Sequence, residues 1–279
     1  MTVRIVTDST CDLPAHVVER LGITVVPLTV FFGEEALLDG VEIDSQTFYE
    51  RLRGPGPLPR SSQPSVDLFQ EAYERLSADG SEIVSIHLSS KMSGTLNAAS
   101  VAREVVKDSA HVDLIDSYQV SLGLGLIVME AALAAQAGKS LEDVVSATRR
   151  AMDRTGVFLV VDTLEFLRRG GRIGRASSLV GSLLSIKPVL HVEDGEVAPL
   201  ERVRTRARAI ERIFQLACER PRSKTLFVAY AGDSAQAEIL IERLRPALPH
   251  TEILIAEFGP VVGVHTGPGS LGIAYLERE

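Results

Sequence analysis

The fold is decided between residues 82 and 115, which read EIVSIHLSSKMSGTLNAASVAREVVKDSAHVDLI. Residues 82–88 form an apolar run of strand length, and residues 112–115 form a second one. Residues 95–106, between them, have a helical pattern. A strand, a helix and another strand in this order predict a parallel βαβ unit, which requires helices on the faces of its sheet.

Strands and helices continue to alternate on both sides of this unit. The other predicted elements are extended runs over residues 3–7 and 23–32, and helices over residues 14–21, 48–52, 67–76, 122–137 and 141–152. Gly22 is a suitable end for the first of these helices. We therefore expect a three-layer α/β domain with a parallel sheet over residues 1–154.

The pattern changes after about residue 154, where strands become more frequent than helices. The predicted strands are residues 157–161, 187–192, 197–204, 225–230 and 252–257, and the predicted helices are residues 207–219 and 234–244. Asp194-Gly195, between two of the strands, is typical of a hairpin turn. We expect an α+β domain with antiparallel strands over residues 155–279, and we leave open whether the two domains share strands.

The composition excludes several classes of protein. The 29 Lys and Arg residues against 37 Asp and Glu residues give a formal charge of −8, which argues against nucleic-acid binding. Cys11 and Cys218 lie far apart and form no disulfide framework, so a reducing, cytoplasmic location is expected. The longest apolar stretch, residues 122–137, contains Glu130 and is shorter than the roughly 20 residues of a membrane span.

The motifs of common cofactor sites fail on their context. Gly267-Pro-Gly-Ser-Leu-Gly272 spells GxGxxG, but no helix and βαβ unit can follow it in the remaining seven residues. The six histidines show no metal-ligand spacing. Ser93 has Lys91 where the nucleophile elbow of a hydrolase needs glycine. We therefore expect no cofactor and no metal.

The first candidate site segment is Thr7-Asp8-Ser9-Thr10, at the carboxyl end of the first predicted strand. Ligands of open α/β sheets bind outside these strand ends, which makes Asp8 and Ser9 candidates for ligand contact. The alternative is that both side chains cap the following helix and accept hydrogen bonds from loop amides.

Two further segments are polar loops that lead into predicted helices. Ser61-Ser62-Gln63-Pro64-Ser65 offers two adjacent hydroxyls to an anion, or it caps the next helix through Ser65. In Ser89-Ser90-Lys91-Met92-Ser93-Gly94-Thr95, the helix amides favour an anion, and Gly94 allows close approach to a ligand. The alternative role of Ser93 is that of a helix N-cap.

Basic residues and one histidine complete the candidates. Arg168, Arg169, Arg172 and Arg175 cluster among three glycines, a composition that suits either a solvated loop or recognition of a phosphate or carboxylate. His265 ends an apolar run in a predicted loop and could donate a hydrogen bond to an acid head group.

Taken together, these segments resemble the DegV family, which includes the fatty-acid-binding subunits of bacterial fatty acid kinase. The matching stretches are residues 5–14, 61–65, 89–95, 163–174, 185–188 and 265–269. They follow the family's order along almost the whole chain. The resemblance implies two α/β-type domains with a long acyl chain buried between or beneath them.

The resemblance also implies how the lipid carboxylate is held. The hydroxyl of Ser93 and a hydroxyl of the 61–65 loop are expected to bind it, with Thr95 in the same candidate set. His265 should lie close to the head group, and Arg172 near the mouth of the pocket. Because family members usually carry threonine where this chain has Ser61, the choice between Ser61 and Ser62 stays open.

The function implied by the resemblance is that of a carrier and not of an enzyme. A separate kinase would phosphorylate the bound fatty acid to an acyl phosphate, because this chain has no nucleotide-binding motif. Arg168, Arg169 and Arg175 are then expected to face that partner. The alternative hypothesis is a serine esterase or thioesterase with Ser93 as nucleophile, His265 as base and Asp8 as the residue that orients the base.

Overall fold

The structure, a computed structural model, describes residues 2–182 and 187–279. Its strands are β1 Val3–Asp8, β2 Ile23–Val26, β3 Thr29–Phe32, β4 Glu35–Leu38, β5 Arg60–Ser62, β6 Glu82–His87, β7 Val112–Asp116, β8 Thr155–Val160, β9 Lys187–Glu193, β10 Glu196–Val203, β11 Ser223–Tyr230, β12 Glu252–Glu257 and β13 Leu271–Glu277. Ser185 and Ile186, part of the stretch that resembles the family, lie outside the described residues.

The helices alternate with these strands along the chain. They are α1 Ala15–Leu21, α2 Ser45–Arg53, α3 Val66–Ser77, α4 Thr95–Val106, α5 Leu122–Gln136, α6 Leu141–Met152, α7 Glu165–Arg169, α8 Arg206–Cys218, α9 Ala235–Ala247 and α10 Pro260–Thr266. Two 3-10 segments, Ser9–Cys11 and Gly174–Ser182, complete the elements.

The strands form three sheets. The first is parallel, in the order β2-β1-β6-β7. The second has the order β10-β9-β8-β13-β11-β12, in which the pairs are antiparallel except for β11 with β12. A small antiparallel sheet, β4-β3-β5, lies apart from both. The predicted fold class, a parallel α/β unit followed by an α+β unit with antiparallel strands, is confirmed.

Helix α5 packs against strands of both large sheets, including β1 of the first sheet and β13 of the second. Its side chains are apolar apart from Glu130 and Gln136, and eleven of its fifteen residues are buried, so little of the helix faces solvent. Two glycines let helix α5 lie close to the residues packed on either side of it. A methyl group on Gly125 would lie 2.6 Å from the carbonyl oxygen of Cys11, and one on Gly123 would lie 2.6 Å from a methyl of Val157.

One hydrophobic core therefore runs through both halves of the chain. It joins Ile5 and Val84 of the first sheet to Phe227 and Leu276 of the second. The division into domains 1–154 and 155–279 stays a prediction. Within residues 2–182 and 187–279, no helix has the length and apolar character needed to cross a bilayer.

Three predictions about local structure were wrong or incomplete. The extended run at residues 23–32 is two strands in different sheets, because Pro27 lies between them and cannot donate a backbone hydrogen bond. His265 lies in helix α10 and not in a loop, and this helix begins at Pro260. Strand β13, which pairs with β8 and β11 inside the second sheet, was not predicted at all.

Candidate functional site

A cavity is lined by residues from both halves of the chain. The apolar part of its wall consists of Leu28, Leu88, Met92, Val120, Val157, Leu159, Leu167, Leu190, Val192, Val197, Phe258, Val261 and Val262. A wall of this composition favours a ligand with a large apolar part.

Four of the predicted site segments contribute to a polar cluster in the lining of the same cavity. We call this set the polar cluster: Ser61, Ser62, Gln63, Ser93, Arg172 and His265. Ser61 in β5 and His265 in α10 are in direct contact, with 2.8 Å between Ser61 Oγ and His265 Nε2. Segments 204 residues apart in the chain thus share one hydrogen bond.

Ser93 lies just before helix α4 and makes contacts within its own loop. Its hydroxyl is 2.9 Å from Thr95 Oγ1, and it accepts a hydrogen bond of 3.3 Å from the backbone amide of Thr95. Thr95 is fully buried, so its side chain supports Ser93 from behind. Ser93 is therefore held at the start of a helix while it lines the cavity.

Arg172 connects two of the loops around the cavity. Its Nε donates to the carbonyl oxygen of Met92 at 3.2 Å, and its Nη1 donates to the carbonyl oxygen of Gly170 at 2.7 Å. These bonds place its positive charge next to the Ser93 loop, close to the position expected for a pocket mouth.

His265 is held neutral by its surroundings. Burial lowers its pKa from the ordinary value of 6.5 to about 4, and the nearby positive charge of Arg172 acts in the same direction. Its Nδ1 is buried and has no hydrogen-bond partner in the part of the chain that the structure describes. The ring packs against Gly170, where an added methyl would overlap Nδ1 and lie 2.8 Å from Cε1.

Three members of the polar cluster also line a depression on the outer side of the same wall. Ser61, Arg172 and His265 are shared between the cavity and this depression. Arg60 and Arg169 add positive charge to it. Ser61, Arg172 and His265 thus lie between the mostly apolar cavity and a depression that carries exposed arginines.

Asp8 and Ser9 serve the local structure, the alternative that the sequence left open. Asp8 Oδ1 accepts from the amide and hydroxyl of Thr10, and Oδ2 accepts from the amide of Leu88. Ser9 Oγ accepts from the amide of Leu28 at 3.1 Å. Thr10 itself lines the cavity, so these bonds fix part of its wall.

The triad required by the esterase hypothesis is not assembled. Asp8 Oδ2 contacts His87 Nδ1 at 3.0 Å instead of His265, and His87 Nε2 contacts Ser85 Oγ at 2.7 Å. Asp8, Ser85 and His87 are completely buried, and Ser85 is bonded in turn to Tyr73. This arrangement has the order of a catalytic triad but no access for a substrate, so we interpret it as a structural network.

The predicted partner-facing arginines are exposed and carry ion pairs within the chain. Arg168 and Arg169 pair with Glu165, and these two partners lower the pKa of that carboxyl to about 2. Arg175 pairs with Glu193 at 2.7 Å and with Asp194 at 2.9 Å. Contact with a partner protein stays a prediction for all three.

Sequence reasoning missed two residues. Gln63 lines the cavity, although nothing in its loop marks it out from the serines beside it. His87 is not recognisable from the sequence, because only the pairing of β1 with β6 brings it to Asp8. Within residues 2–182 and 187–279, no group of three His, Cys, Asp or Glu side chains could hold a metal ion.

An apolar cavity beside a small polar cluster is typical of sites for amphipathic small molecules. A sequence model of the family described as "Uncharacterised protein, DegV family" matches residues 2–278. A DegV domain-containing protein of Streptomyces coelicolor is 41% identical over 280 residues, which cover 99% of both chains. The chain belongs to the DegV family.

Solved structures of the family have the same fold. The crystal structure of DegV from Bacillus subtilis, described as a fatty acid binding protein, has 35% identity and a TM-score of 0.93 and covers both chains completely. A Thermus thermophilus DegV family protein, described by its fatty acid binding, has 35% identity, a TM-score of 0.91 and the same coverage.

Proposed function

We propose that this protein binds a long-chain fatty acid, with the acyl chain in the cavity and the carboxylate at the polar cluster. The observation that carries the proposal is an apolar cavity whose wall also contains Ser61, Ser93, Arg172 and His265, gathered from four separate segments of the chain. The similar proteins from Bacillus subtilis and Thermus thermophilus, both described as binding fatty acids, support this ligand class.

The acyl chain supplies most of the binding free energy. A sixteen-carbon acid buries about 14 methylenes at about 0.8 kcal/mol each, or roughly 11 kcal/mol before the cost of association. Each hydrogen bond to the carboxylate adds about 1–3 kcal/mol. The apolar wall therefore determines affinity, and the polar cluster determines orientation.

The polar cluster offers hydroxyl donors to the carboxylate. With its proton on Nε2, neutral His265 donates to Ser61 Oγ, which leaves the Ser61 hydrogen free for the ligand. The Ser62 hydroxyl instead donates to the carbonyl oxygen of Gln63 at 3.3 Å. These contacts favour Ser61 over Ser62 as the second hydroxyl besides Ser93.

A carboxylate at this boundary would be accessible to a partner kinase. In the transfer we propose, a carboxylate oxygen bonds to the γ-phosphorus of a nucleoside triphosphate, and the bond from that phosphorus to the departing diphosphate breaks. The product is an acyl phosphate. The exposed Arg168 and Arg169 would then attract the acidic groups of the kinase or its nucleotide.

Lipid analysis of the purified protein tests the binding proposal. We expect organic extraction followed by mass spectrometry to release long-chain fatty acids in about one equivalent per chain, as expected for one cavity. After delipidation, the protein should take up palmitate or oleate. A protein that contains no lipid and takes up neither acid would contradict the proposal.

A further inference from the structure

We infer that Gln63 is a further positioning residue for the ligand head group, and that Gly94 is glycine in order to make room for its amide. This inference rests on the proposed fatty-acid-binding function. Gln63 belongs to the 61–65 loop and lines the cavity. No hydrogen bond of its side chain within that loop accounts for this position.

The Gln63 side chain lies directly against the backbone of Gly94. A methyl group added to Gly94 would overlap Gln63 Oε1, and it would lie 2.9 Å from Cδ and 3.2 Å from Nε2. All three amide atoms therefore occupy the volume that a side chain at residue 94 would need. Ser93, the neighbour of Gly94, is the hydroxyl expected to bind the carboxylate, so the amide is held beside it.

The backbone of Gly94 gives no other reason for glycine at this position. Its φ of −78° and ψ of 9° are accessible to every residue type. Other glycines near the site are different, since Gly171 has a φ of +68° and Gly174 has a φ of +50°. A methyl group at residue 94 would therefore act mainly by moving the Gln63 amide away from Ser93.

Gln63 is exposed, and its side-chain amide makes no hydrogen bond within residues 2–182 and 187–279, so the amide is available to a ligand. Its loop is held by the pairing of Ser62 with Thr29 in the small sheet and is followed by Pro64, which restricts the backbone of Gln63. A positioned, unpaired NH2 group is a neutral donor that suits a carboxylate.

The chemistry of the amide adds selectivity without adding charge. Its two N–H donors complement a carboxylate, which accepts at both oxygens. Replacement by the isosteric carboxylate of Glu would oppose the ligand by charge repulsion. We therefore expect Gln63 to favour ionised fatty acids as ligands.

A double-mutant cycle tests this inference on delipidated full-length protein with palmitate as the probe. We expect Gln63→Ala to weaken binding about five- to tenfold, the equivalent of one hydrogen bond, and Gln63→Glu to weaken it more than tenfold at neutral pH. Gly94→Ala should weaken binding as much as Gln63→Ala, because the new methyl displaces the amide. In the Gln63→Ala background, Gly94→Ala should have no further effect.

Gln46→Ala is the matched control, because Gln46 is exposed on α2 and bonds to Glu50 there. Unchanged palmitate binding by Gln63→Ala, with normal binding by the wild type, overturns the inference alone. Equal weakening by Gly94→Ala in the wild-type and Gln63→Ala backgrounds also overturns the inference. In that case the effect of Gly94→Ala comes from the start of helix α4 and not from the Gln63 amide. A wild type that binds no fatty acid contradicts the proposed function itself.

Discussion

At the scale of single residues, the hydroxyl groups near the cavity have two different environments. Thr10 gives its hydroxyl hydrogen to Asp8 at 2.5 Å, so it presents no donor to a ligand. The Ser61 hydroxyl contacts the His265 ring, and the Ser93 hydroxyl contacts Thr95 Oγ1 and accepts from the Thr95 amide, so neither is committed to donating its hydrogen to a carboxylate or carbonyl group of the protein. The hydroxyl hydrogens of Ser61 and Ser93 can therefore turn toward a ligand carboxylate without loss of a bond that holds the fold.

Ser93→Ala should reduce phosphorylation of the bound lipid more than it reduces lipid retention. The acyl chain keeps most of its contacts in the variant, and the lost hydrogen bond contributes only about 1–3 kcal/mol. Retention is measured by lipid extraction, and phosphorylation with the partner kinase and nucleoside triphosphate. Ser90→Ala, an exposed neighbour in the same loop, is the control. Equal losses in retention and phosphorylation would assign Ser93 a structural role.

His265 should make the stability of the delipidated protein dependent on pH. Its pKa is lowered from 6.5 to about 4, so the folded state disfavours the protonated ring. The stabilisation is complete above pH 6.5 and is lost as the pH falls toward 4, by about 3 kcal/mol in total. Urea unfolding of the wild type and of His265→Gln at a series of pH values measures this difference. A constant difference between the two proteins would contradict it.

The sequence identifies candidate residues better than it identifies their partners. Ser61, Ser93, Arg172 and His265 were chosen from motifs, and all four line one cavity in the structure. The partner of Asp8 could not be chosen, because it depends on the register of β1 against β6 and on the fixed distance between two buried side chains. Roles in ligand binding stay predictions for these residues.

At the scale of the elements, the hairpin of β9 and β10 closes one side of the cavity. Val192 and Val197 of this hairpin contribute to the apolar wall. Its tip is held by Arg175, which pairs with Glu193 and Asp194, and by a 2.7 Å hydrogen bond from Ser89 Oγ to the carbonyl oxygen of Gly195. The tip therefore connects the cavity wall to the loop that carries Ser93.

Arg175→Ala should loosen this hairpin tip. We expect faster amide hydrogen exchange in residues 193–197 and faster release of bound fatty acid, because the ion pairs that hold the tip are removed. Arg168→Ala is the matched control, since its ion pair with Glu165 stays within helix α7. If both variants release the ligand at the wild-type rate, the hairpin does not control release.

Prediction at this scale succeeded for long, periodic segments and failed for short ones. Helices α5 and α6 were found with nearly correct bounds because their apolar patterns extend over three or more turns. Strand β13 was missed because it follows a glycine- and proline-rich turn. The strand also contains Gly272, which is unusual within a strand. Glycine is required there because an added methyl would lie 2.7 Å from the carbonyl oxygen of Phe158 on the neighbouring strand.

At the scale of the whole molecule, the cavity depends on both halves of the chain. Leu28 and Leu88 come from the first half, and Leu159 and Leu190 come from the second sheet. The fold class could be predicted from the order of strands and helices. The cavity could not, because it is the space left between side chains of elements that are distant in sequence.

Affinity should depend on the length of the acyl chain. We expect saturated acids from about ten carbons upward to bind about four times more tightly for each added methylene, until the cavity is filled. Beyond that length, affinity should stop rising because further methylenes stay in water. Isothermal titration calorimetry with a series of acids measures this. Affinity that does not vary with chain length would show that the apolar wall does not enclose the ligand.

Strand β13 has a consequence for the making of the protein. It lies between β8 and β11, so the six-stranded sheet is complete only when residues 271–277 have left the ribosome. Until then, β8 with β9 and β10 has no hydrogen-bonded connection to β11 and β12. The second sheet, which supplies Leu159 and Leu190 to the cavity wall, is therefore completed only after synthesis has passed this strand.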